Sequence, residues 1–302
     1  MSEVAIVGIG MHEFGRHEGV SGMEQGAIAV RRACADAGVE WKDVQFAFGG
    51  SSAAGAPDTM VSQLGLTGLQ FINVQNGCAT GGSALFSAYN TIMSGAYDLG
   101  IAIGFDKHER GAFRVETKAR TGRDWYGGSG MALTTQFFGM KINRYMQENN
   151  ISQRSLARVA AKAMRNGSMN PMAWRRKALT EEEVLQSQML SYPLTQYMFC
   201  SPGEGGVALI LARADQAHKY TKNPIYLQSA VVRSRRFGSF EVLAPSLSLE
   251  YGEGPTVDAS KAAFEQAGIG PKDIDVAQLQ DTESGAEVMH MAENGFCEHG
   301  EQ

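Results

Sequence analysis

Short apolar runs that alternate with helix-like stretches constrain this chain more than any other feature. Strand-like segments at Val4–Gly8, Val44–Phe48, Gln70–Val74 and Leu99–Gly104 are separated by helical patterns over Gly22–Ala37, Thr59–Leu64 and Ser83–Ser94. A strand regained after each helix predicts the α/β class, with a largely parallel sheet and helices on its faces. From Lys107 to about Cys200 the pattern becomes charged, Met-rich and amphipathic, with helices expected at Met131–Asn149, Ser152–Asn166 and Glu181–Leu190. Ser152 stands just before Leu156 and Val159, and Thr180 is followed by Glu181, Glu182 and Glu183 in a capping-box arrangement. This stretch reads as an inserted, mostly helical layer. The apolar run Gly206–Ala212 then returns to the sheet, and Ile225–Val231 follows as a further strand.

With 302 residues, 43% of them hydrophobic and 20% charged, the chain can bury substantial cores, in two subdomains or one large α/β unit. A net charge of -5 argues against nucleic acid as the main partner, although local basic clusters can still hold a phosphorylated ligand. Apolar runs all fall well short of the roughly 20 residues that span a bilayer. The first residues enter a strand without a signal-peptide pattern, so no membrane role is expected and a cytoplasmic setting is. Cys34, Cys78, Cys200 and Cys297 are far apart and show no CxxC or Cys/His ligand spacing, so neither a disulfide framework nor a metal site is expected.

Cys78 lies where the short strand ending at Val74 breaks into Gln75-Asn76-Gly77 and resumes as a helical stretch past Gly81-Gly82. A thiol at a helix N-terminus faces unpaired backbone N–H groups and the positive end of the helix dipole, a setting that favours a nucleophilic sulfur. A lone cysteine is more often a small buried hydrophobe. The strand end and the flanking glycines instead build an exposed elbow, which points to a nucleophile.

A faint internal repeat organises the rest. The stretch from Arg32 to Ala47, which contains Ala37-Gly38, Lys42-Asp43 and a strand, is echoed by the stretch from Ala262 to Ala277, which contains Ala267-Gly268, Lys272-Asp273 and Ile274-Asp275-Val276-Ala277. Each copy reads as a helix ending at Ala-Gly, a short turn and a strand, with Gly supplying the left-handed cap. Two related halves follow, with expected boundaries at 1–222, including an inserted loop domain at about 107–200, and 223–302. The second half is expected to be incomplete, with the sequence stopping early.

The elbow Asn76-Gly77-Cys78-Ala79-Thr80-Gly81-Gly82-Ser83-Ala84-Leu85, followed by Ser94-Gly95-Ala96-Tyr97-Asp98 and the strand Ile101–Lys107, resembles the nucleophile region of thiolases of the sterol-carrier and lipid-transfer type. The resemblance continues through Asn170-Pro171, Leu179–Leu185, Ser191–Thr195 and Cys200–Gly206, and covers essentially the whole chain. It implies a five-layer α-β-α-β-α core built from two related halves, with a loop domain inserted in the first. It also implies that Cys78 accepts an acyl group from a coenzyme A thioester, which splits one hard C–C step into two easier ones. As in the family, a homodimer is expected, paired through the strand at residues 70–75.

The resemblance also shows departures. Lipid-transfer-type thiolases build part of their oxyanion site from a His-Asp-Cys-Phe motif; the corresponding stretch here is Leu279-Gln280-Asp281-Thr282-Glu283, with Gln280 in the His place. An amide donates a hydrogen bond to an oxyanion but cannot titrate. The family's Gly-His-Pro and Cys-x-Gly motifs do not occur in these 302 residues. Cys297 and His299 lie where the family has a turn at a helix end, and a structural role is expected for them. Coenzyme A, as substrate, carries phosphates that Arg175, Arg176 and Lys177 can meet while Trp174 stacks on adenine; a solvated loop is the plainer alternative. Gly205 and Gly206 are expected to let the backbone pack against the elbow and the ligand, and Arg233, Arg235 and Arg236 to serve a surface. The leading expectation is a 3-ketoacyl-CoA thiolase. Its alternatives are a retro-aldolase of bulky acyl-CoA side chains that works with an OB-fold, zinc-ribbon partner, or a non-catalytic acyl-CoA or lipid carrier subunit.

Overall fold

The structure is a computed structural model that describes residues 3–109, 134–236 and 253–302. It divides into two units: Met1–Glu109 with Met172–Trp174 and Gly203–Val232, and Arg110–Pro171 with Arg175–Pro202 and Arg233–Gln302.

The first unit is built on a six-stranded sheet. Its strands are β1 (Val4–Gly15), β2 (Phe46–Gly50), β3 (Gln70–Val74), β4 (Leu99–Lys107), β7 (Glu204–Arg213) and β8 (Ile225–Leu227), in the order β3-β2-β4-β7-β1-β8. Side-chain alternation along the strands feeds two cores, as the period of two requires. Ile101, Ile103 and Phe105 of β4 pack with Ile210 and Ala212 of β7 under α1 (Gly22–Ala37). Ala102 and Leu211, one residue out of phase, join Phe46 and Phe48 under α3 (Thr80–Met93). The short helix α2 (Val61–Leu64) precedes β3.

The expected largely parallel sheet is mixed instead. Only β3-β2-β4 run parallel, whereas β7 is antiparallel to both β4 and β1, and β8 is antiparallel to β1. The reason is the connection: chain between β4 and β7 builds other elements, so no single crossover helix imposes a parallel return.

Several boundaries also move. The strand expected from Val44 begins at Phe46, because the Val44 N–H closes a tight turn on Trp41 (3.2 Å). The helix expected from Ser83 begins at Thr80 and takes Gly81-Gly82 into its first turn. The last strand stops at Leu227, where pairing with Val4–Ile6 ends.

The second unit is mostly helical, with α4 (Thr134–Glu148), α5 (Gln153–Met169), α6 (Glu181–Leu185), α7 (Pro255–Ala267), α8 (Ser284–Glu293) and the hairpin β5 (Met189–Ser191) and β6 (Leu194–Thr195). The part of the expected 131–149 helix up to residue 133 lies outside the described residues. Ile142, Leu156, Val184, Leu194, Met198 and Val288 form its core. Ser152 caps α5 by accepting from the Ser155 N–H, and Thr180 with Glu183 completes the expected capping box on α6. That helix ends at Leu185 rather than Leu190, because the hydroxyls of Ser187 and Thr195 both donate to the Val184 carbonyl (2.7 and 2.8 Å) that a continuing helix would use.

The repeat has matching local geometry in its two copies. Helices α1 and α7 both end on a left-handed glycine, Gly38 at φ 64° and Gly268 at φ 68°, and each is followed by a short 3-10 turn, Trp41–Asp43 or Pro271–Asp273. The strand expected at Ile274–Ala277 does not form. A strand needs a neighbour to take its N–H and C=O groups, and no described strand pairs with this segment. Among the described residues no helix is long and apolar enough to cross a membrane.

Candidate active site

Cys78 stands exposed, two residues before α3, on a turn that hydrogen bonds hold from both sides. Gly77 takes φ 54°, a left-handed conformation that favours glycine. The Thr80 hydroxyl donates to the Gly77 carbonyl (2.7 Å) and accepts from the Asn76 N–H (2.9 Å). The Asn76 amide donates to Ser83 Oγ (2.8 Å), which ties the end of β3 to the first turn of the helix. Cys200 is exposed as well, but the other two thiols differ. Cys34 is buried and burial pushes it up to about 11, while burial together with Glu301 and Glu298 raises Cys297.

The elbow sits close to the sheet because Gly50 ends β2: a Cβ there would lie 2.0 Å from Thr80 Cγ2. This corrects the expected role of Gly205 and Gly206. Both are buried in β7, where a Cβ at Gly205 would meet the Phe14 ring at 2.7 Å and one at Gly206 would meet the α1 backbone at Gln25 at 3.0 Å. They pack β7 against β1 and α1, not against the elbow, and their burial leaves them no surface for a cofactor.

Glu204, the residue before them, stands at the centre of a buried polar cluster. Its buried carboxylate accepts from the His17 N–H (3.0 Å), Gln25 Nε2 (3.2 Å) and Arg16 Nη1 (3.3 Å), and pairs with Lys107 Nζ (3.2 Å). Burial pushes its pKa up, but these bonds outweigh it and hold the group at about 2. The Arg16 guanidinium also lies over the Trp174 ring, 5.6 Å from its centre. One face of that ring is therefore engaged by a cation within the first unit. Arg175, Arg176 and Lys177 belong to the second unit and are exposed, with Arg175 donating to Ser201 Oγ (2.7 Å).

In the second unit, Gln280 is exposed and joins a chain of polar side chains that sequence reasoning did not find. Its amide Oε1 is 3.1 Å from His290 Nε2, and the other ring nitrogen, Nδ1, is 2.6 Å from Glu293 Oε2. The Gln280 Nε2 donates to the Thr282 hydroxyl. Thr282 is pinned in turn by its carbonyl, which accepts from the Cys200 N–H (2.8 Å). Glu283 caps α8 by accepting from the Gly285 N–H (2.6 Å) while its Oε1 has no hydrogen-bond partner, and burial pushes it up to about 7 against the pull of Lys141. The available signal was the spacing: His290 and Glu293 are three apart on a helix and so share a face. His299 Nδ1 lies 2.7 Å from the Tyr145 hydroxyl, and Cys297 is half-buried. Arg236 pairs with Asp258 at 2.5 Å. Among the described residues no group of His, Cys, Asp or Glu could hold a metal ion.

An exposed cysteine on a strand-to-helix elbow, over a mixed sheet with helices on both faces, marks an α/β protein that presents a thiol at a helix start. The family model described as "Thiolase, N-terminal domain" matches residues 4–182, and that described as "Thiolase C-terminal domain-like" matches residues 250–302. The chain belongs to the thiolase family. It is 29% identical to the benzoylsuccinyl-CoA thiolase subunit BbsB of Thauera aromatica, over 99% of this chain and 77% of that one. It is 30% identical to an acetyl-CoA acetyltransferase of Methanothermobacter thermautotrophicus, over 100% of this chain and 79% of that one. Sterol carrier protein 2 of Gallus gallus is 29% identical over 98% of this chain, which spans 57% of that protein's length. Among solved structures, an Ltp2-ChsH2(DUF35) aldolase has the same fold, with a TM-score of 0.85 at 23% identity over 99% of this chain and 78% of that one.

Proposed function

We propose that this protein breaks or forms the C–C bond beta to a coenzyme A thioester, as a 3-ketoacyl-CoA thiolase, with Cys78 as the acyl-accepting nucleophile. The observation that carries this reading is the exposed thiol of Cys78, held on its turn by Asn76, Thr80 and Ser83. The thiolate adds to the 3-keto carbonyl, and the C2–C3 bond breaks. Its electron pair leaves as the enolate of acetyl-CoA, which takes up a proton, while the acyl group remains as a thioester on Cys78. The thiolate of a second coenzyme A then attacks that thioester and releases Cys78. Gln280 is assigned as hydrogen-bond donor to the enolate oxygen, a role an amide can fill, although it cannot deliver the proton. Arg175, Arg176 and Lys177 are exposed cations suited to phosphate.

Residues 1–222 are assigned to the first thiolase half, with the loop domain at about 107–200, and residues 223–302 to part of the second. A cytoplasmic homodimer paired through β3 completes this reading, in keeping with the exposed edge that β3 presents. The alternative is a retro-aldolase that splits a 3-hydroxyacyl-CoA into a carbonyl compound and a shorter acyl-CoA, with an OB-fold, zinc-ribbon partner. Gln280 in place of the family's His favours it, and the likeness to the Ltp2-ChsH2(DUF35) aldolase adds fold-level support.

Intact-mass measurement after mixing with a 3-ketoacyl-CoA and with a 3-hydroxyacyl-CoA separates the two. Thiolase chemistry predicts an acyl adduct on Cys78 that free coenzyme A removes and that Cys78→Ser abolishes. Cleavage of the hydroxyacyl substrate with no adduct, unaffected by Cys78→Ser, would assign the lyase reaction instead.

A further inference from the structure

Gln280 cannot titrate, yet it is hydrogen-bonded to a residue that can. His290 stands on α8 with its ring between two acceptors: Glu293 Oε2 at 2.6 Å from Nδ1, and Gln280 Oε1 at 3.1 Å from Nε2. The side chains of His290 and Glu293 are only 13% and 16% exposed, so the pair is largely shielded from solvent. Although burial raises the Glu293 carboxyl, the hydrogen bond and charge of His290, with Lys141 and His299, outweigh it and keep it below the ordinary range. It is therefore an ionised acceptor, and Nδ1 must donate to it. With the amide oxygen on the other side, Nε2 must donate as well. Both ring nitrogens then carry protons, which is the imidazolium form.

A neutral ring cannot make the same set of bonds. Its single proton stays on Nδ1 against the Glu293 carboxylate and leaves a bare lone pair on Nε2. That lone pair facing an amide oxygen is repulsive, and the contact is restored only when the Gln280 amide turns over and presents its NH₂ to the ring. The Thr282 hydroxyl sits on the other side of the amide, where it accepts from NH₂ in the first arrangement and donates to C=O in the second. Both orientations are thus hydrogen-bonded, and the charge on His290 selects between them.

We propose that His290, oriented by Glu293, is a positioning residue that sets which end of the Gln280 amide is turned toward Thr282 and the space beyond it. With His290 charged, the amide NH₂ lies on that side with one N–H to spare for an anion. With His290 neutral, an oxygen lies there and the donor is lost. This deepens the reading of Gln280 as the enolate donor and rests on it. Other charged groups around the cluster include Asp281 between Gln280 and Thr282, its carboxyl pushed up by burial and Glu287, Glu283 ahead of α8, Lys141 on α4, Arg235, and His299 beyond α8. An ionised Glu283 favours the charged ring.

The test follows both side chains by nuclear magnetic resonance, with ¹⁵N-histidine and side-chain ¹⁵N-glutamine labels, between pH 5 and 9. Gln280→Leu assigns the amide signal by its loss. The expected result is a Gln280 NH₂ resonance that titrates with the same midpoint as the His290 ring nitrogens, with the neutral ring protonated on Nδ1. Glu293→Gln should move the Gln280 and His290 signals together, and His290→Phe should leave the Gln280 resonance flat with pH. A Gln280 signal that ignores the His290 titration, persists in titrating without His290, or moves apart from it in Glu293→Gln overturns the proposal. Acyl-adduct formation on Cys78 is measured by mass in the same samples. Coupled titration without any adduct rejects the thiolase reading, whereas an adduct with uncoupled titration rejects the role of His290.

Discussion

Gly50 and Thr80 approach each other so closely that a single methyl group added to the glycine would stand 2.0 Å from the threonine Cγ2. This contact seats the nucleophile turn on the end of β2. Gly50→Ala should therefore displace Thr80, cost about 1–3 kcal/mol in urea unfolding, and change the alkylation rate of Cys78. Gly104→Ala is the control, because its Cβ would meet Gly81 Cα at an ordinary 3.7 Å. Equal behaviour of the two variants would mean that the contact does not hold the turn.

Cys78 should be the first thiol labelled in a short iodoacetamide pulse, and an acyl-CoA should protect it. Cys34, buried and pushed up to about 11 from 9.0, should react roughly 100-fold more slowly than an ordinary thiol on thiolate fraction alone. Cys200 is the exposed competitor. Peptide mapping that finds Cys200 labelled and Cys78 silent would remove Cys78 from its assigned role.

Glu204 ties the acid limb of stability to the first unit. Its folded pKa of about 2 lies below the ordinary 4.5, so its contribution is complete above about 4.5 and disappears as pH falls toward 2. Glu204→Gln leaves Arg16 and Lys107 without their carboxylate and should cost about 3 kcal/mol at pH 7, with a shallower acid limb. An unchanged unfolding midpoint at pH 7 would contradict this.

Glu283 acts with the opposite sign. Burial raises it to about 7, so the fold favours its protonated form, and stability falls as pH rises from about 4.5 to about 7, then levels. Glu283→Gln keeps an acceptor for the Gly285 N–H but cannot ionise. It should be neutral near pH 4 and stabilising by about 2–3 kcal/mol at pH 8. Chemical denaturation at the two pH values reads this directly, and a variant less stable at pH 8 would show that the carboxylate is needed there.

The β3 edge should govern self-association. Ile72 is 44% exposed in the middle of that strand. Ile72→Lys places a charge on an edge that pairing would bury, and should weaken a dimer at least ~10-fold, or ~1.4 kcal/mol, by light scattering across a dilution series. An unaltered dimer would move the interface elsewhere.

The first unit was largely legible in the sequence because its signals are local. Gln70–Val74 and Gly22–Ala37 have the bounds that period and capping predict, and Gly38 and Gly268 both cap as the repeat requires. Strand direction was not legible: the antiparallel course of β7 depends on a connection through distant elements rather than on anything within Glu204–Arg213. The two proposed sites divide the same way. Cys78 is announced by the glycines around it, whereas Glu283, His290 and Glu293 matter through bonds that only the folded chain makes, and the burial of Gly205 and Gly206 depends on Phe14 and α1.

The place of β7 in the sheet has a consequence for biosynthesis. Strand β1 leaves the ribosome before the other five strands of its sheet, yet among the described strands it pairs only with β7 and β8, and Val4 finds its partners in Arg213 and Leu227. Until β7 emerges, β2, β3 and β4 can pair among themselves while β1 lacks the strand that joins it to them, the core under α1 lacks Ile210 and Ala212, and the cations of Arg16 and Lys107 await Glu204. Nascent chains that stop short of β7 should thus present a sticky, unfinished sheet, the kind of surface that holding chaperones bind.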